Sequence, residues 1–365
     1  MVPQPLLTIR SLRARAVNVP LRRHLQTAGG AVATAPLVLI DLHTDEGITG
    51  CSYLFCYTTI ALTPLVELLN GLNETLIGLK ATPVVLERHL NSRFRLLGMQ
   101  GLVAMAVAGI EMATWDALGK AAGLPLVRLM GGEARPIPAY NSCGLGLSGR
   151  ERVAAEARGL TEGGFRALKV RLGYPDLEMD VAVVRAIRNA VGEGIQLMAD
   201  YNQSLNVPEA IRRIKRLDHE ALVWVEEPVL SEDFEGHATV RREVRTPIQC
   251  GENWWGAREM GKALHAGACD FVMADAMKIG GVTRWMRASA IANLHGAPMS
   301  SHLFPEISAH LLAVTPTSHW LEWVDFAAPV LCDPLEAEAG HVTAPDRPGV
   351  GIEWNEDAVA RYLFV

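Results

Sequence analysis

Asp200, Glu226 and Glu252 stand 26 residues apart, each closing a short apolar run: Ile195–Asp200, Leu222–Glu226 and Pro247–Glu252. Neighbouring strands in a sheet lie ~5 Å apart, so acids that end three adjacent strands converge on one point. Three unpaired carboxylates repel one another there, and a hard cation relieves the repulsion. Oxygen-only ligands with room for water favour Mg²⁺ over zinc or copper. Helix capping accounts for any one of these acids taken singly, but not for the even ladder of three. Asp275 and His302 end the next two runs and should lie side by side. A carboxylate bonded to one imidazole nitrogen fixes the tautomer and raises the basicity of the other nitrogen. Glu322 follows at the end of Ser318–Glu322, where it can give a proton or a strong hydrogen bond to an enolate oxygen if its pKa is raised. Lys169 and Arg171, two apart on a strand, face the same way. Two such cations suit a substrate carboxylate.

The elements that must position these residues form a repeat. From residue 136 eight apolar runs end in polar residues, each followed by a helical stretch. They are Ile137–Ser142, Phe165–Arg171, Ile195–Asp200, Leu222–Glu226, Pro247–Glu252, Asp270–Asp275, Ala297–His302 and Ser318–Glu322. Their ends fall 20 to 29 residues apart, one βα unit each. This predicts an α/β fold, a (β/α)8-type TIM barrel with its active site at the C-terminal strand ends. Before it, Leu7–Pro20 and Ala35–Thr44 read as strands and Asp45-Glu46-Gly47 as a turn. Helical patterns cover Ile60–Leu79, Pro83–Leu97 and Gln100–Ala122. The expected organisation is an N-terminal α+β capping domain over 1–132, the barrel over 133–326, and a C-terminal segment over 327–365 that packs back on the capping domain.

Composition narrows the function. The 365 residues are 49% hydrophobic and 20% charged, with a net charge of −6. That gives no electrostatic reason to expect nucleic acid or an acidic membrane surface as partner. No apolar leader opens the chain, because Arg10, Arg13 and Arg15 interrupt its start. The six cysteines form no C-x-x-C pair and read as reduced thiols of a cytoplasmic protein. Gly144-Leu145-Gly146-Leu147-Ser148-Gly149 is a literal G-x-G-x-x-G, as a dinucleotide-dependent oxidoreductase would carry. The next strand, however, ends in Lys169 and Arg171 rather than an acid, so the glycines read as a flexible βα loop. A zinc-type barrel hydrolase would want paired histidines, and none of the 11 histidines forms an H-x-H pair.

The strand ends Lys169-Val170-Arg171, Asp200-Tyr201-Asn202-Gln203, Glu226-Glu227-Pro228, Gly251-Glu252-Asn253, Asp275-Ala276-Met277-Lys278-Ile279-Gly280-Gly281 and Ser300-Ser301-His302-Leu303-Phe304 resemble the signatures of the mandelate racemase branch of the enolase superfamily. The likeness extends over the whole chain, including Ala35–Ile40. It implies that Asp200, Glu226 and Glu252 hold Mg²⁺, that Asp275–His302 is a base, and that Glu322 hydrogen-bonds the enolate. It further implies that Lys169, Ser142 and Asn202 touch substrate and that Leu25–Ala33 is a flap over it. One departure concerns chemistry directly. The racemases carry Lys-x-Lys with the second lysine as the opposite-face base, and here that position is Arg171, whose side chain type has no accessible neutral form. Cys143 is a second departure, standing where mandelate racemase itself has histidine.

The expected activity is therefore Mg²⁺-dependent removal of the α-proton of a 2-hydroxy carboxylate. The small apolar flap, with Val32 in it and Phe55 and Tyr57 beside it, favours an isomerase that racemises or epimerises a hydrophobic 2-hydroxy acid. Arg171 favours the alternative, a hydro-lyase that dehydrates acid sugars with His302 as sole base. The expected partners are a small-molecule carboxylate and further copies of the chain, and neither nucleic acid nor membrane.

Overall fold

The computed structural model describes residues 6–364. Its first unit is an antiparallel sheet of β1 (Ile9–Thr27), β2 (Gly30–Thr44) and β3 (Thr49–Phe55), in that order. Asp45-Glu46-Gly47 turns β2 into β3 as expected. The third strand itself shows no alternation in the sequence, because it is buried along almost its whole length. Helices α1 (Leu62–Leu76), α2 (Pro83–Arg93) and α3 (Gly101–Ala122) follow, then the short α4 (Leu126–Leu129). Helix α3 is long and apolar enough to cross a membrane, yet it is mostly buried here, and it stops at the left-handed Gly123.

The barrel strands are β4 (Ile137–Asn141), β5 (Ala167–Arg171), β6 (Gln196–Asp200), β7 (Leu222–Glu226), β8 (Ile248–Cys250), β9 (Phe271–Asp275), β10 (Met299–His302) and β11 (Leu321–Trp323). The helices α5 (Arg150–Leu160), α6 (Leu177–Val191), α7 (Val207–Leu217), α8 (Phe234–Glu243), α9 (Ala257–Ala266), α10 (Val282–Leu294) and α11 (Pro305–Ala313) separate them in turn. Neighbouring strands are parallel, in register Arg171↔Asp200, Asp200↔Glu226 and His302↔Asp275, and β11 lies beside β4 with Glu322↔Tyr140. The ring closes between β10 and β11 through a bridge from Met299 to Ser318 and the Ser301 N–H to Trp320 O bond of 3.0 Å. Tyr140, Ala167, Met198, Trp224 and Met273 fill the barrel interior, so it is a packed core and not a pore.

Several strand boundaries differ from the sequence reading, β4 for instance stopping at Asn141 rather than Ser142, and two of the differences bear on the mouth. β8 stops at Cys250, and Gly251, at φ 130, swings the chain so that Glu252 still reaches the mouth. The last strand begins at Leu321 rather than Ser318, since Ser318 makes only the isolated bridge. After β11 the chain forms β12 (His341–Val342), which pairs with β4, and α12 (Glu356–Tyr362). Beyond α12 the Phe364 N–H reaches Ala16 O at 2.9 Å, against the first sheet.

A buried carboxylate on α3 ties that helix to the barrel. Glu111 accepts from Val282 N at 2.7 Å, Thr283 N at 2.9 Å and Trp115 Nε1 at 2.8 Å. Glu111 thus caps α10, whose own sequence begins Gly280-Gly281 with no capping side chain. Gly281 is required: φ is +87, and a Cβ there would lie 2.0 Å from Glu111 Oε2. Replacing Glu111 by Ala strands two buried donors, Val282 N and Thr283 N, each costing about 1–3 kcal/mol when left unsatisfied, while Trp115 Nε1 keeps its bond to Thr283 Oγ1 at 3.0 Å. The urea midpoint should fall steeply for Glu111→Ala, and clearly less for Glu111→Gln, which keeps an acceptor oxygen.

Candidate active site

The parallel register brings inward-facing residues of successive strands to one level. Asp200 ends β6, Glu226 ends β7 and Glu252 follows β8, and ligand oxygens of all three lie within 4.8 Å of one another, buried. Lys169, from β5, reaches into the same point. Its Nζ is 2.7 Å from Glu226 Oε1, 2.8 Å from Glu322 Oε1 and 3.4 Å from Asp200 Oδ2. Burial pushes the Asp200 and Glu226 carboxyls above their ordinary values, which Lys169 only partly offsets. Negative charge here is under-compensated, and the donors are all oxygen. A hard divalent cation fits both facts.

His302 faces this cluster from the far side. Its Nδ1 lies 2.7 Å from Asp275 Oδ2, while Asp275 Oδ1 accepts from Met277 N at 2.8 Å and Lys278 N at 2.9 Å. With the carboxylate so anchored, Nδ1 carries the hydrogen and Nε2 is left toward the mouth, 3.2 Å from Glu252 Oε2. Burial works to lower the imidazole pKa, but Glu252, Glu322 and Asp275 outweigh it and hold it above its ordinary value.

Glu322 departs from expectation. Its buried carboxyl would be pushed up by desolvation, but Lys169, His302 and Arg171 hold it well below the usual carboxylate range. It is an ionised acceptor, bonded to Lys169 and to Leu303 N at 2.9 Å, rather than the raised-pKa donor that the sequence suggested.

These groups open into a cavity of about 330 Å³. Lys169, Arg171, Asp200, Asn202, Glu252, His302, Glu322, Val32 and Tyr57 all line it. Glu226 lies beneath it and Asp275 behind His302. Ser142 does not line it: that residue is buried under Arg171, whose Nη2 donates to Ser142 Oγ at 2.7 Å. Asn202 donates through Nδ2 to Asp200 Oδ2 at 3.0 Å, and its buried Oδ1 has no partner among the described residues. Leu25, Phe55, Leu303, Val324 and Phe326 form an apolar wall, with Phe55 against both Tyr57 and Phe326.

Sequence reasoning gave no role to Lys278 and Asn253, which also line the cavity. Lys278 Nζ lies 4.3 Å from the Tyr57 ring centre and donates to Asn253 Oδ1. Asn253 in turn donates to Glu227 Oε2 at 2.6 Å. Burial and the nearby Glu252 raise the Glu227 carboxyl to about 8. The available signal was spacing: Lys278 lies three residues past Asp275, in the turn that the Asp275 carboxylate holds.

Comparison with known proteins agrees with this architecture. Residues 9–131 match the family "Mandelate racemase / muconate lactonizing enzyme, N-terminal domain", and residues 152–358 match "Enolase C-terminal domain-like". An L-talarate/galactarate dehydratase of Salmonella typhimurium is 32% identical over 72% of this chain and 66% of its own length. A 3,6-anhydro-alpha-L-galactonate cycloisomerase of Streptomyces coelicolor is 30% identical over 97% of this chain and 99% of its own. A crystal structure of an enolase from Bradyrhizobium complexed with magnesium and mandelic acid superposes with a TM-score of 0.95 and 49% identity, covering 100% of both chains.

The clustered carboxylates predict a direct binding result. Titrated calorimetrically with Mg²⁺, Glu226→Gln should bind at least about tenfold more weakly than the wild type, the scale of a lost ligand charge. Its unfolding midpoint in chelator should be unchanged or higher, because one buried charge has gone. Equal Mg²⁺ affinity would remove Glu226 from the ligand set.

Proposed function

The chain belongs to the mandelate racemase / muconate lactonizing enzyme family of the enolase superfamily, whose members use Mg²⁺, and from that premise we propose that it removes the α-proton of a 2-hydroxy carboxylate with His302 as its only base. Asp200, Glu226 and Glu252 hold the ion. When bound, Mg²⁺ supplies a Lewis acid that draws electron density from the substrate carboxylate and so acidifies the α-carbon.

The remaining work falls to the protein. His302 Nε2 takes the proton, while Asp275 keeps the ring oriented and stabilises the imidazolium that forms. Lys169 donates to the oxygen on which charge accumulates, and Glu322, shared with Lys169, keeps that ammonium in place. The unpartnered Asn202 Oδ1 accepts from the substrate α-hydroxyl. The apolar wall excludes water from this exchange.

One observation carries the reading. All three side-chain bonds of the Arg171 guanidinium run to the β4 loop: Nη1 to Ser142 O at 3.0 Å and Gly144 O at 2.9 Å, Nη2 to Ser142 Oγ at 2.7 Å. The face opposite His302 therefore offers a fixed cation and no base. A single base suits elimination: His302 Nε2 takes the α-proton, the imidazolium so formed returns it to the β-hydroxyl, which departs as water, and the resulting enol tautomerises to a 2-keto acid. The dehydratase among the relatives accords with this. A second reading, racemisation of a hydrophobic 2-hydroxy acid, is favoured by the wall of Leu25, Val32, Phe55, Val324 and Phe326 and by the mandelic acid bound in the Bradyrhizobium relative.

Incubation in D₂O with Mg²⁺, followed by proton NMR, separates the two readings. The expected result is α-deuteration of one mandelate enantiomer without inversion, and conversion of one or more acid sugars to 2-keto products. His302→Asn should abolish both at unchanged Mg²⁺ affinity, and chelation should abolish both in the wild type. Rapid deuteration with inversion of both mandelate enantiomers would transfer the assignment to the racemase reading.

A further inference from the structure

The bonds that disqualify Arg171 as a base have a structural effect of their own. Besides the guanidinium contacts to Ser142 and Gly144, the Arg171 backbone N–H donates to Leu145 O at 2.9 Å. Leu145 has φ 55, a left-handed conformation that costs a branched residue of order 1 kcal/mol or more and persists only where its surroundings impose it. Arg171 bonds on both sides of it, through the guanidinium to Ser142 and Gly144 and through its backbone N–H to Leu145 itself. Glu156 of α5 adds a bond from Leu145 N at 3.1 Å.

The segment so held meets the tip of the β1–β2 hairpin. Leu147 N donates to Gln26 O at 2.7 Å. Gly146 passes so close that a Cβ would lie 2.6 Å from both Gln26 N and Gln26 O. The residues flanking Gln26 on β1, Leu25 and Thr27, line the cavity.

We propose that Arg171 is a positioning residue, which fixes the 142–147 segment as the seat on which the hairpin closes and thereby sets the apolar wall of the cavity. A planar guanidinium can bond two carbonyls and a hydroxyl at once, whereas an ammonium on a flexible stem is a point charge that cannot hold the same fork. The glycines of the G-x-G-x-x-G string acquire a reason that involves no nucleotide: Gly146 must lack a side chain for the hairpin to sit down. The inference rests on the proposed function only for its effect on substrate, not for the seat itself.

Hydrogen exchange read by mass spectrometry on the full chain with Mg²⁺, and without substrate, tests the seat independently of turnover. In Arg171→Lys and in Gly146→Ala, peptides covering 20–35 and 142–149 should exchange about tenfold faster, as expected for losing one to two hydrogen bonds, while peptides covering 196–200 and 222–226 keep wild-type rates. Mandelate, titrated onto the Mg²⁺-loaded proteins as a probe, should bind about tenfold more weakly to Gly146→Ala at unchanged Mg²⁺ affinity. Unaltered exchange of 20–35 in Arg171→Lys, or faster exchange spread through the barrel strands, would overturn the proposal. If the wild type does not bind mandelate, the substrate reading fails while the exchange result still decides the seat.

Discussion

Packing Asp200, Glu226 and Glu252 within 4.8 Å of one another inside a protein is the constraint from which most of the structure follows. Like charges at that separation repel strongly once water is withdrawn, and Glu322, Asp275 and Glu227 are buried nearby as well. The fold answers with cations rather than exposure. Lys169 lies among three carboxylates, His302 stands between Asp275 and Glu252, and Lys278 reaches Asn253 beside Glu227 and Glu252. A residual deficit of positive charge is what a divalent ion makes good, so metal affinity and fold stability oppose one another at the same three residues.

Holding such a cluster dry requires a lid, and the lid comes from the other end of the chain. β1 and β2 leave their sheet and run out over the barrel mouth, with Arg22 near Asp325 at 3.5 Å, Arg23 near Glu156 at 3.8 Å and Gln26 on the loop after β4. On the opposite side of the interface Glu111 caps α10, the helix that follows the turn carrying Lys278. The capping unit is therefore part of the site in two ways: as its cover, and as the missing end of one barrel helix.

Much of this was legible in sequence because barrel chemistry is periodic. The eight strand ends announced themselves as polar residues after apolar runs, and six of the acids and bases so identified, Asp200, Glu226, Glu252, Asp275, His302 and Glu322, meet at the mouth. Relations between non-periodic segments were not legible. β3 showed no alternation because both of its faces are covered. The ionised state of Glu322 depends on where Lys169, His302 and Arg171 end up, which no local pattern encodes. Arg171 could be seen to be a poor base, but its bonds to Ser142 and Gly144 join two connections far apart in sequence. Ser142 was expected against substrate and instead lies beneath that arginine.

The length of the hairpin carries a consequence for how this cover can diverge. Its two arms pair Leu25 with Val32 and Thr27 with Gly30, beyond a register shift between Pro20 and Leu25. Along such a ribbon, side chains alternate between the two faces, so inserting a single residue in one arm exchanges inside for outside all the way to the tip. Leu25 would turn to solvent and Gln26 into the cavity. Relatives that reshape the roof of the pocket should therefore lengthen or shorten it by paired steps, or confine odd changes to the irregularity after Pro20, where the ribbon already absorbs them. Substrate range along this lineage would then change in discrete jumps of parity rather than by gradual creep.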